Sequence, residues 1–486
     1  MKLRVLAPLA LLTLVTAQAC SSLSPERQLV ADAAKALGGR TAVEAVKTLR
    51  LTGGGTAYLL GQNQLPDSDL PTYEVTDYVR TIDLAAGRTA TQQTRTAQFA
   101  FAGNLVSRTD TRLDGDVAFN VNAEGKAVRA GEREARDRRL EVLHHPLAVV
   151  RAALDPAATV ANLRQDGDAD LVDVTTPKGD TVTLAVDRAT KLPSRVQHLA
   201  SQPNLGDVVI ATAFGDYQDA GGLKVPARLT TTIDRYPQLT IQVARHEVDA
   251  ATPTLAAPDE VRAATPPTPP AQVVAVEPVG KGIWWLAGSG NHRSVVFEFD
   301  DHLTLFEVPV SEERSKAVID KARTLSPKPL THVVVSHHHF DHSGGLRVAV
   351  AEGLTIVTHR LNEPFFRALV ARPHTVEPDA LAKAPRDLTL ELVDDTLTLK
   401  DATMEVQLYH LLDNEREGTN LFAYVPRDRM LVQADLYDNT WLRHLWGQNV
   451  LDNLERRKLK IDQHVPVHGA REPFAQMVRT IKAKPA

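Results

Sequence analysis

Four histidines and an aspartate lie within six positions, 337–342, of a chain that has 17 histidines in 486 residues. The order is H-x-H-x-D-H between an apolar VVVS run and a Gly-Gly pair, which is unlike a low-complexity tract. His337 and His339 are two residues apart, so in an extended segment they point the same way and reach one ion. Asp341 and His342 follow in the turn and suit a second ion. The alternative is a histidine-rich surface loop without a metal.

The elements around this cluster must bring it to the edge of a sheet. The run THVVVS is a buried strand, and the flanking segments alternate between short strands (GIWWLAG, SVVFEFD, LTLFEV) and helical stretches (EERSKAVIDKARTL, LRVAVAEG). This alternation predicts an α/β region with a buried sheet. A polar loop at the end of such a strand is a common ligand site. Gly344 and Gly345 allow close packing where the chain enters the next helix.

The H-x-H-x-D-H motif resembles that of the metallo-β-lactamase-fold hydrolases, over about residues 270–486. The resemblance implies an αββα sandwich and three further ligands, each at the end of a later strand. His410 ends MEVQLYH, Asp435 ends RMLVQAD, and His468 follows VPV, where it matches the family better than His464. The sequence departs from the family at Glu307, where relatives commonly have an Asp-x-Gly turn, and we assign this residue no role.

The resemblance also implies how the ligands divide between two metal ions. The first ion takes His337, His339 and His410, the second takes Asp341, His342 and His468, and Asp435 bridges them. Nitrogen and carboxylate ligands without thiolate suit two Zn²⁺, with Mn²⁺ or Fe as alternatives. Such a site hydrolyses an ester, lactone, thioester or amide through a bridging hydroxide. Asp341 is then a catalytic proton carrier, and Tyr437 is a candidate hydrogen bond donor to the oxyanion.

Two segments are candidates for the wall of the substrate pocket. Residues 360–388 form a long connection that contains Phe365 and Phe366, and Trp441 and Trp446 follow the bridging aspartate. The two tryptophans fit the core of a helix slightly better than a pocket wall. Activity as a β-lactamase itself is disfavoured because only Arg443 stands near Asp435 to bind a substrate carboxylate.

Two other functions stay open. One is iron-dependent oxidation of thiols or persulfides, which uses related ligands in this fold. The other is a cell-envelope binding or assembly protein with a structural metal domain. Retention of seven ligands favours catalysis, because a structural zinc site needs only four.

The N-terminal half of the chain has a different pattern. Between residues 171 and 249, alternating strands are separated by turn clusters such as PKGD, QPNLGD and DAGG, which predicts an antiparallel sheet. Residues 132–154 interrupt this pattern with a helical segment. The succession of strands and turns weakly resembles the half-barrels of periplasmic lipoprotein carriers. A plain β-sheet domain that serves as a scaffold for the other domain is an equally good interpretation. The predicted fold class is therefore α/β, a metallo-β-lactamase αββα sandwich preceded by an antiparallel half-barrel-like domain.

The chain divides into segments by composition. Residues 1–19 are a predicted signal peptide, with basic Lys2 and Arg4, an apolar core and a small-residue cleavage site. Residues 24–252 form the β-rich domain, 253–270 a proline-rich linker, and 271–486 the metal-binding domain.

Export and charge limit the possible partners. Cys20, the only cysteine, follows the cleavage site, so we expect a periplasmic protein or an outer-membrane lipoprotein anchored only through that residue. Simple secretion is the alternative. A net charge of −5 gives no basis for binding nucleic acid. We expect a small-molecule substrate.

Overall fold

The computed structural model describes residues 23–102, 105–251, 253–440 and 444–483. The predicted signal peptide, Cys20, Trp441 and Arg443 lie outside these residues. Within them, no helix has the length and apolar character needed to cross a membrane.

An antiparallel sheet dominates the N-terminal region, residues 23–251. Its thirteen strands have the order β6-β5-β4-β3-β2-β1-β13-β12-β11-β10-β9-β8-β7, so β6 and β7 are the open edges. The strands are β1 (Thr48–Tyr58), β2 (Thr72–Asp83), β3 (Arg88–Ala97), β4 (Val106–Asp114), β5 (Val117–Val121), β6 (Ala127–Arg129), β7 (Thr159–Asp166), β8 (Ala169–Thr175), β9 (Thr181–Asp187), β10 (Pro193–Gln202), β11 (Gly206–Ala220), β12 (Leu223–Ile233) and β13 (Tyr236–Val248).

Four helices pack against this sheet: α1 (Pro25–Ala36), α2 (Arg40–Ala45), α3 (Glu132–Val142) and α4 (Pro146–Leu154). Ser24 caps α1 through the backbone N–H of Arg27, and Pro25 occupies the first helical turn. The segment predicted as one helix over 132–154 forms two, because Pro146 starts a new helix and ends the old one. Apolar residues of α1, α2 and α4 share one core with the sheet.

The proline-rich linker is less extended than its composition predicts. It contains α5 (Asp259–Ala263), whose Val261 packs with Ala257 against Phe119 of the N-terminal sheet. Asp114 accepts a hydrogen bond from the backbone N–H of Ala257, 2.8 Å away, and pairs with Arg262. These few apolar and charged contacts hold the linker on the sheet.

The C-terminal region contains two sheets. A seven-stranded sheet runs in sequence order through β14 (Val274–Gly280), β15 (Ile283–Gly288), β16 (Ser294–Glu298), β17 (Leu303–Phe306), β18 (Leu330–Val334), β19 (Thr355–His359) and β20 (Leu390–Val393). A six-stranded sheet runs through β21 (Thr396–Lys400), β22 (Glu405–His410), β23 (Leu421–Val425), β24 (Met430–Gln433), β25 (Gln463–Pro466) and β26 (Glu472–Pro473). The helices are α6 (Glu312–Ala322), α7 (Phe340–Ser343), α8 (Leu346–Ala351), α9 (Glu363–Ala371), α10 (Ala380–Lys383), α11 (Gly447–Arg456) and α12 (Phe474–Ala483).

The two sheets pack face to face, and the helices cover their outer faces. One apolar core, which includes Phe297, Phe306 and Val432, lies between the sheets. A second core joins the seven-stranded sheet to α6, α8 and α9, and a third joins the other sheet to α11 and α12. This is the αββα arrangement expected from the sequence, and it brings the carboxyl ends of β18 and β24 to one edge.

The two regions are in contact. Leu205 and Val208 of the N-terminal region belong to the same apolar core as α8 and α9. Arg372, at the end of α9, donates to the backbone carbonyl of Asp207 and pairs with Asp234. The N-terminal sheet is therefore packed directly on the helices next to the metal motif.

Candidate metal centre

The first group of candidate ligands follows strands β18 and β24. It comprises His337, His339, Glu417 and Asp435, whose ligand atoms all lie within 4.8 Å of one another. All four residues are buried. His337 Nε2 and His339 Nδ1 are buried without a hydrogen bond partner among the described residues. Leaving such atoms unpaired is costly, and a bound cation would satisfy them.

The second group shares one residue with the first. It comprises Asp341, His342, His468 and again Asp435. Asp435 Oδ1 lies 2.9 Å from His342 Nε2 and 2.7 Å from His468 Nε2. Asp341 is the most exposed member, with 29% of its side chain accessible. The two candidate ligand groups thus share one carboxylate, an arrangement compatible with divalent metal binding.

The charges in the centre favour a cation. Burial and the neighbouring Asp435 carboxylate raise the pKa of Glu417. Burial opposes ionisation of Asp435, but His342 and His468 hold its pKa well below the ordinary value. Burial alone would lower the pKa of His342, but the surrounding carboxylates, Asp435 foremost, raise it well above that of a free imidazole. The centre thus concentrates negative charge that protons or metal ions must balance.

Glu307, which the sequence left without a role, orients one ligand. Its Oε2 lies 3.1 Å from His342 Nδ1, and its Oε1 accepts a hydrogen bond from the backbone N–H of Ser336. The residue is fully buried and has a φ of 79°, an uncommon conformation for a residue with a side chain. Because Nδ1 faces the carboxylate, Nε2 of His342 faces Asp435. Carboxylate–histidine pairs of this kind are typical of metal sites.

The other histidines are oriented in the same way. His337 Nδ1 lies 2.9 Å from Ser336 Oγ, and His468 Nδ1 lies 2.9 Å from the carbonyl oxygen of Asn291. His338 turns away from both groups, with its Nδ1 3.3 Å from Thr419 Oγ1. His337 and His339 therefore lie in one candidate ligand group, and His338 lies outside both groups.

The structure corrects the expected place of His410. Its Nε2 lies 3.0 Å from the carbonyl oxygen of Gly418, and its ring stacks on His359 with centroids 3.9 Å apart. It belongs to neither group. Glu417 is found beside His337 and His339 instead, held by Asn420, whose side-chain amide donates to its carboxylate.

The sequence contained a signal for Glu417. It is an acidic residue directly before the Gly-Thr-Asn turn that follows β22. A histidine at the end of an alternating strand was the stronger pattern. The turn after the strand, however, carries the chain back over the site, so a residue of the turn comes close to the other ligands.

Tyr437 also lies away from the two groups. It is fully buried in the apolar core under α11 and α12, and its ring contacts His444 and His464. Burial raises its pKa. Phe366, expected in the pocket wall, is fully buried in the core beside α8 and α9, whereas Phe365 is partly buried. Neither Tyr437 nor Phe366 faces the candidate ligands.

Arg416 is a second residue that the sequence did not indicate. Its Nη2 donates to Asp435 Oδ2 at 2.6 Å, and its Nε lies 2.9 Å from Glu417 Oε1. The guanidinium is buried and lies over the rings of Phe101 and Trp446, 3.9 and 5.7 Å from their centroids. It therefore neutralises part of the carboxylate charge around the first group.

The family model of the metallo-beta-lactamase superfamily matches residues 287–411. The C-terminal region has a metallo-β-lactamase fold. No curated protein matches the chain. Similar solved structures include a metallo-beta-lactamase from Pontibacter korlensis (15% identity, 43% of this chain and 98% of that one, TM-score 0.34). Another is the mono-zinc form of the metallo-beta-lactamase FIM-1 from Pseudomonas aeruginosa (14% identity, 44% of this chain and 96% of that one, TM-score 0.34). A sec-alkylsulfatase from Pseudomonas sp. is also similar (18% identity, 43% of this chain and 40% of that one, TM-score 0.33).

The ligand set of this metallo-β-lactamase fold is compatible with divalent metal ions. Its donors are imidazole nitrogens and carboxylate oxygens, which suit Zn²⁺, Mn²⁺ and Fe²⁺. Replacement of the expected His410 by Glu417 exchanges a nitrogen donor for an oxygen donor. The exchange shifts the preference of the first group toward harder ions.

Proposed function

We propose that the protein is an exported dinuclear-metal hydrolase that cleaves an ester, lactone, thioester or amide bond. The observation that carries this proposal is the pair of ligand groups that share Asp435. A purely structural metal site would need only four ligands and no partly exposed member. Here Asp341 is partly exposed, which leaves one side of the centre open to a substrate.

The chemistry needs an activated water and a residue that moves a proton. A bound divalent ion lowers the pKa of water toward neutrality and polarises the bond to be cleaved. Asp341 is the residue placed to handle the proton. Its Oδ2 lies 3.3 Å from His292 Nε2, so this histidine offers a route for the proton toward the surface. Burial lowers the pKa of His292, which keeps its ring neutral and able to accept.

A substrate screen tests this proposal. We would assay esters, lactones, thioesters, amides, β-lactams and phosphodiesters with added Zn²⁺ or Mn²⁺, beside Asp341→Ala and the matched surface variant Asp394→Ala. We expect turnover of one carbonyl substrate that is lost in Asp341→Ala and kept in Asp394→Ala. Metal binding without turnover of any substrate would contradict the proposal.

The ligand types of the first group favour a second candidate activity. Two histidines and one carboxylate form a set that non-haem iron enzymes use, and here Asp435 adds a second carboxylate. An iron-dependent oxidation of thiols or persulfides is therefore an alternative. Metal analysis of protein purified from its native host decides: about one iron per chain supports the oxygenase, and two zinc or manganese ions support the hydrolase.

A cavity of about 390 Å³ in the N-terminal region favours a binding role for that region. Its wall includes the apolar Leu229, Leu239 and Ile241, and its charged residues are three arginines and three carboxylates, namely Arg80, Arg95, Arg138, Glu134, Asp137 and Glu141. Arg80 pairs with Glu141, whereas Arg95 Nε is buried without a hydrogen bond partner among the described residues. We propose that this cavity binds a small amphiphilic anion. Arg95→Ala should weaken binding of a fluorescent fatty acid, whereas the surface variant Arg195→Ala should not.

Export is also part of the proposal. The first 19 residues have the composition of a signal peptide, and Cys20 follows directly. Fractionation of cells that produce the wild type and Cys20→Ser tests it. Membrane-bound wild type and soluble Cys20→Ser support a lipid anchor, and retention of both in the cytosol would contradict export.

A further inference from the structure

The connection between β1 and β2, residues 59–71, reaches from the N-terminal sheet into the metal centre. We call it the β1–β2 loop. The backbone N–H of Phe340 donates to the carbonyl oxygen of Gly61, and that of Gly418 donates to the carbonyl oxygen of Gln64, 3.0 Å away. These two contacts place the loop between the H-x-H-x-D-H motif and the turn that carries Glu417.

Gln62 contacts Asp341 directly and is linked to Asp435 through Arg416. Its Nε2 donates to Asp341 Oδ1 at 2.7 Å, and its Oε1 accepts from Arg416 Nη2 at 3.1 Å. The same Arg416 nitrogen donates to Asp435. One side chain thus fixes a ligand of the second group and, through Arg416, the carboxylate shared by both. The amide nitrogen of Gln62 is the donor that the Asp341 carboxylate requires, and its amide oxygen is the acceptor that the Arg416 guanidinium requires.

The backbone of Asn63 fixes a third ligand. Its carbonyl oxygen lies 2.9 Å from His339 Nε2, and a carbonyl can only accept, so Nε2 carries the proton. Nδ1 is then the free nitrogen, and it lies 3.7 Å from Glu417 Oε1 and 3.9 Å from Asp435 Oδ2. The loop holds this carbonyl in place because the Asn63 side chain donates to the carbonyl oxygens of Leu65 and Ser68.

We propose that the N-terminal region completes the metal centre, with Gln62 as a positioning residue for Asp341 and Arg416 and the Asn63 carbonyl as the group that sets the His339 tautomer. This inference rests on the dinuclear centre proposed above. It assigns the N-terminal region a role in the active site that its sequence did not indicate. Hydrogen bonds to metal ligands orient them and strengthen metal binding, and their loss typically costs about 10- to 100-fold in affinity.

The test measures metal affinity rather than turnover. Wild type, Gln62→Ala and the matched control Gln64→Ala are titrated with Zn²⁺ and Mn²⁺ against a chromophoric chelator. Gln64 lies on the same loop and its side chain donates to the carbonyl oxygen of Asn414, but it touches no ligand. We expect Gln62→Ala to weaken at least one of the two sites by roughly 10- to 100-fold. Gln64→Ala should stay within threefold of the wild type.

Several outcomes would overturn the proposal. Unchanged affinity in Gln62→Ala would remove its positioning role, and equal weakening in both variants would show only a general need for an intact loop. Thermal unfolding of the metal-free proteins must agree within about 2 °C, and a large loss confined to Gln62→Ala would make its role structural. A wild type that binds two ions but cleaves no substrate would refute the proposed hydrolase. The role of Gln62 would then still be decided by the ratio of metal affinities between the wild type and Gln62→Ala. A wild type that binds no metal would refute both.

Discussion

Glu417 and His410 differ in what they contribute at the scale of single residues. Glu417 is fully buried beside two unpaired histidine nitrogens, whereas His410 bonds a backbone carbonyl and stacks on another ring. We therefore expect Glu417→Ala to lose about one metal ion per chain, because it removes a charged ligand. His410→Ala should keep its metal. Metal content after dialysis, measured by mass spectrometry, checks both, and metal loss in His410→Ala alone would reverse the assignment.

The sequence predicted the residues of the motif itself better than their partners. His337, His339, Asp341 and His342 are close in sequence, so local geometry brings them together. Glu417 depends on how a turn folds back, and Gln62 is separated from Asp341 by 279 positions. The signal for Glu417, an acidic residue before the Gly-Thr-Asn turn, was weaker than the strand-end histidine, and Gln62 has no local pattern that reports its contact.

At the scale of elements, the histidines under the N-terminal sheet couple stability to pH. His144, between α3 and α4, lies 2.8 Å from His198 of β10, and burial lowers the pKa of His198 to about 4. An unfolded histidine has a pKa near 6.5, so between these values the unfolded chain binds more protons. The contribution of His198 to the free energy of unfolding is therefore fully present above the unfolded pKa, and it decreases as the pH falls toward 4.

The free energy of unfolding should therefore depend measurably on pH. Between pH 7 and pH 5, His198 alone should reduce the free energy of unfolding by roughly 2 kcal/mol. Urea unfolding of wild type and His198→Gln at both pH values checks it, and the variant should lose about that much less. Equal losses in the two proteins would show that His198 titrates normally in the folded state.

Gly344, between α7 and α8, has no room for a side chain. A Cβ there would lie 2.5 Å from the carbonyl carbon of Val310 and 2.6 Å from the carbonyl oxygen of Phe340. Since these are backbone atoms, the clash cannot be relieved by a rotamer change. Gly344→Ala should destabilise the protein by about 1–3 kcal/mol. The control Gly131→Ala meets only the flexible Glu134 carboxylate, and a comparable loss in urea unfolding there would contradict the steric explanation.

The α/β character of the C-terminal region could be predicted from the alternation of strands and helices, because strands such as β16, β17 and β23 are short and buried. The αββα layers followed only from the resemblance that the H-x-H-x-D-H motif carries. Pro146, which separates α3 from α4, was visible in the sequence. The apolar residues on both sides of it nevertheless favoured the prediction of one continuous helical segment. The packing of Val261 on Phe119 was not predictable, since a few apolar residues in a proline-rich segment rarely find a partner surface.

At the scale of the whole molecule, Asp207 connects the two regions. Its carboxylate accepts hydrogen bonds from the backbone N–H groups of Thr375 and Val376 and from the Thr375 hydroxyl. Asp207→Ala removes these hydrogen bonds, whose donors are exposed and can turn to water, and should cost about 0.5–1.5 kcal/mol. Asp166→Ala, which removes an exposed pair with Arg195, should cost under 1 kcal/mol. Thermal unfolding compares them, and equal melting temperatures would mean that the contact adds no stability.

If the β1–β2 loop completes the metal centre as proposed, the two packed regions form one functional unit. Its central feature is Asp435, the carboxylate that belongs to both ligand groups. The most direct test is the number of metal ions per chain after reconstitution, in wild type and in Asp435→Ala. We expect two ions in the wild type and fewer than one in the variant, because both groups lose a ligand together. One ion or none in the wild type, or two ions retained in Asp435→Ala, would contradict it.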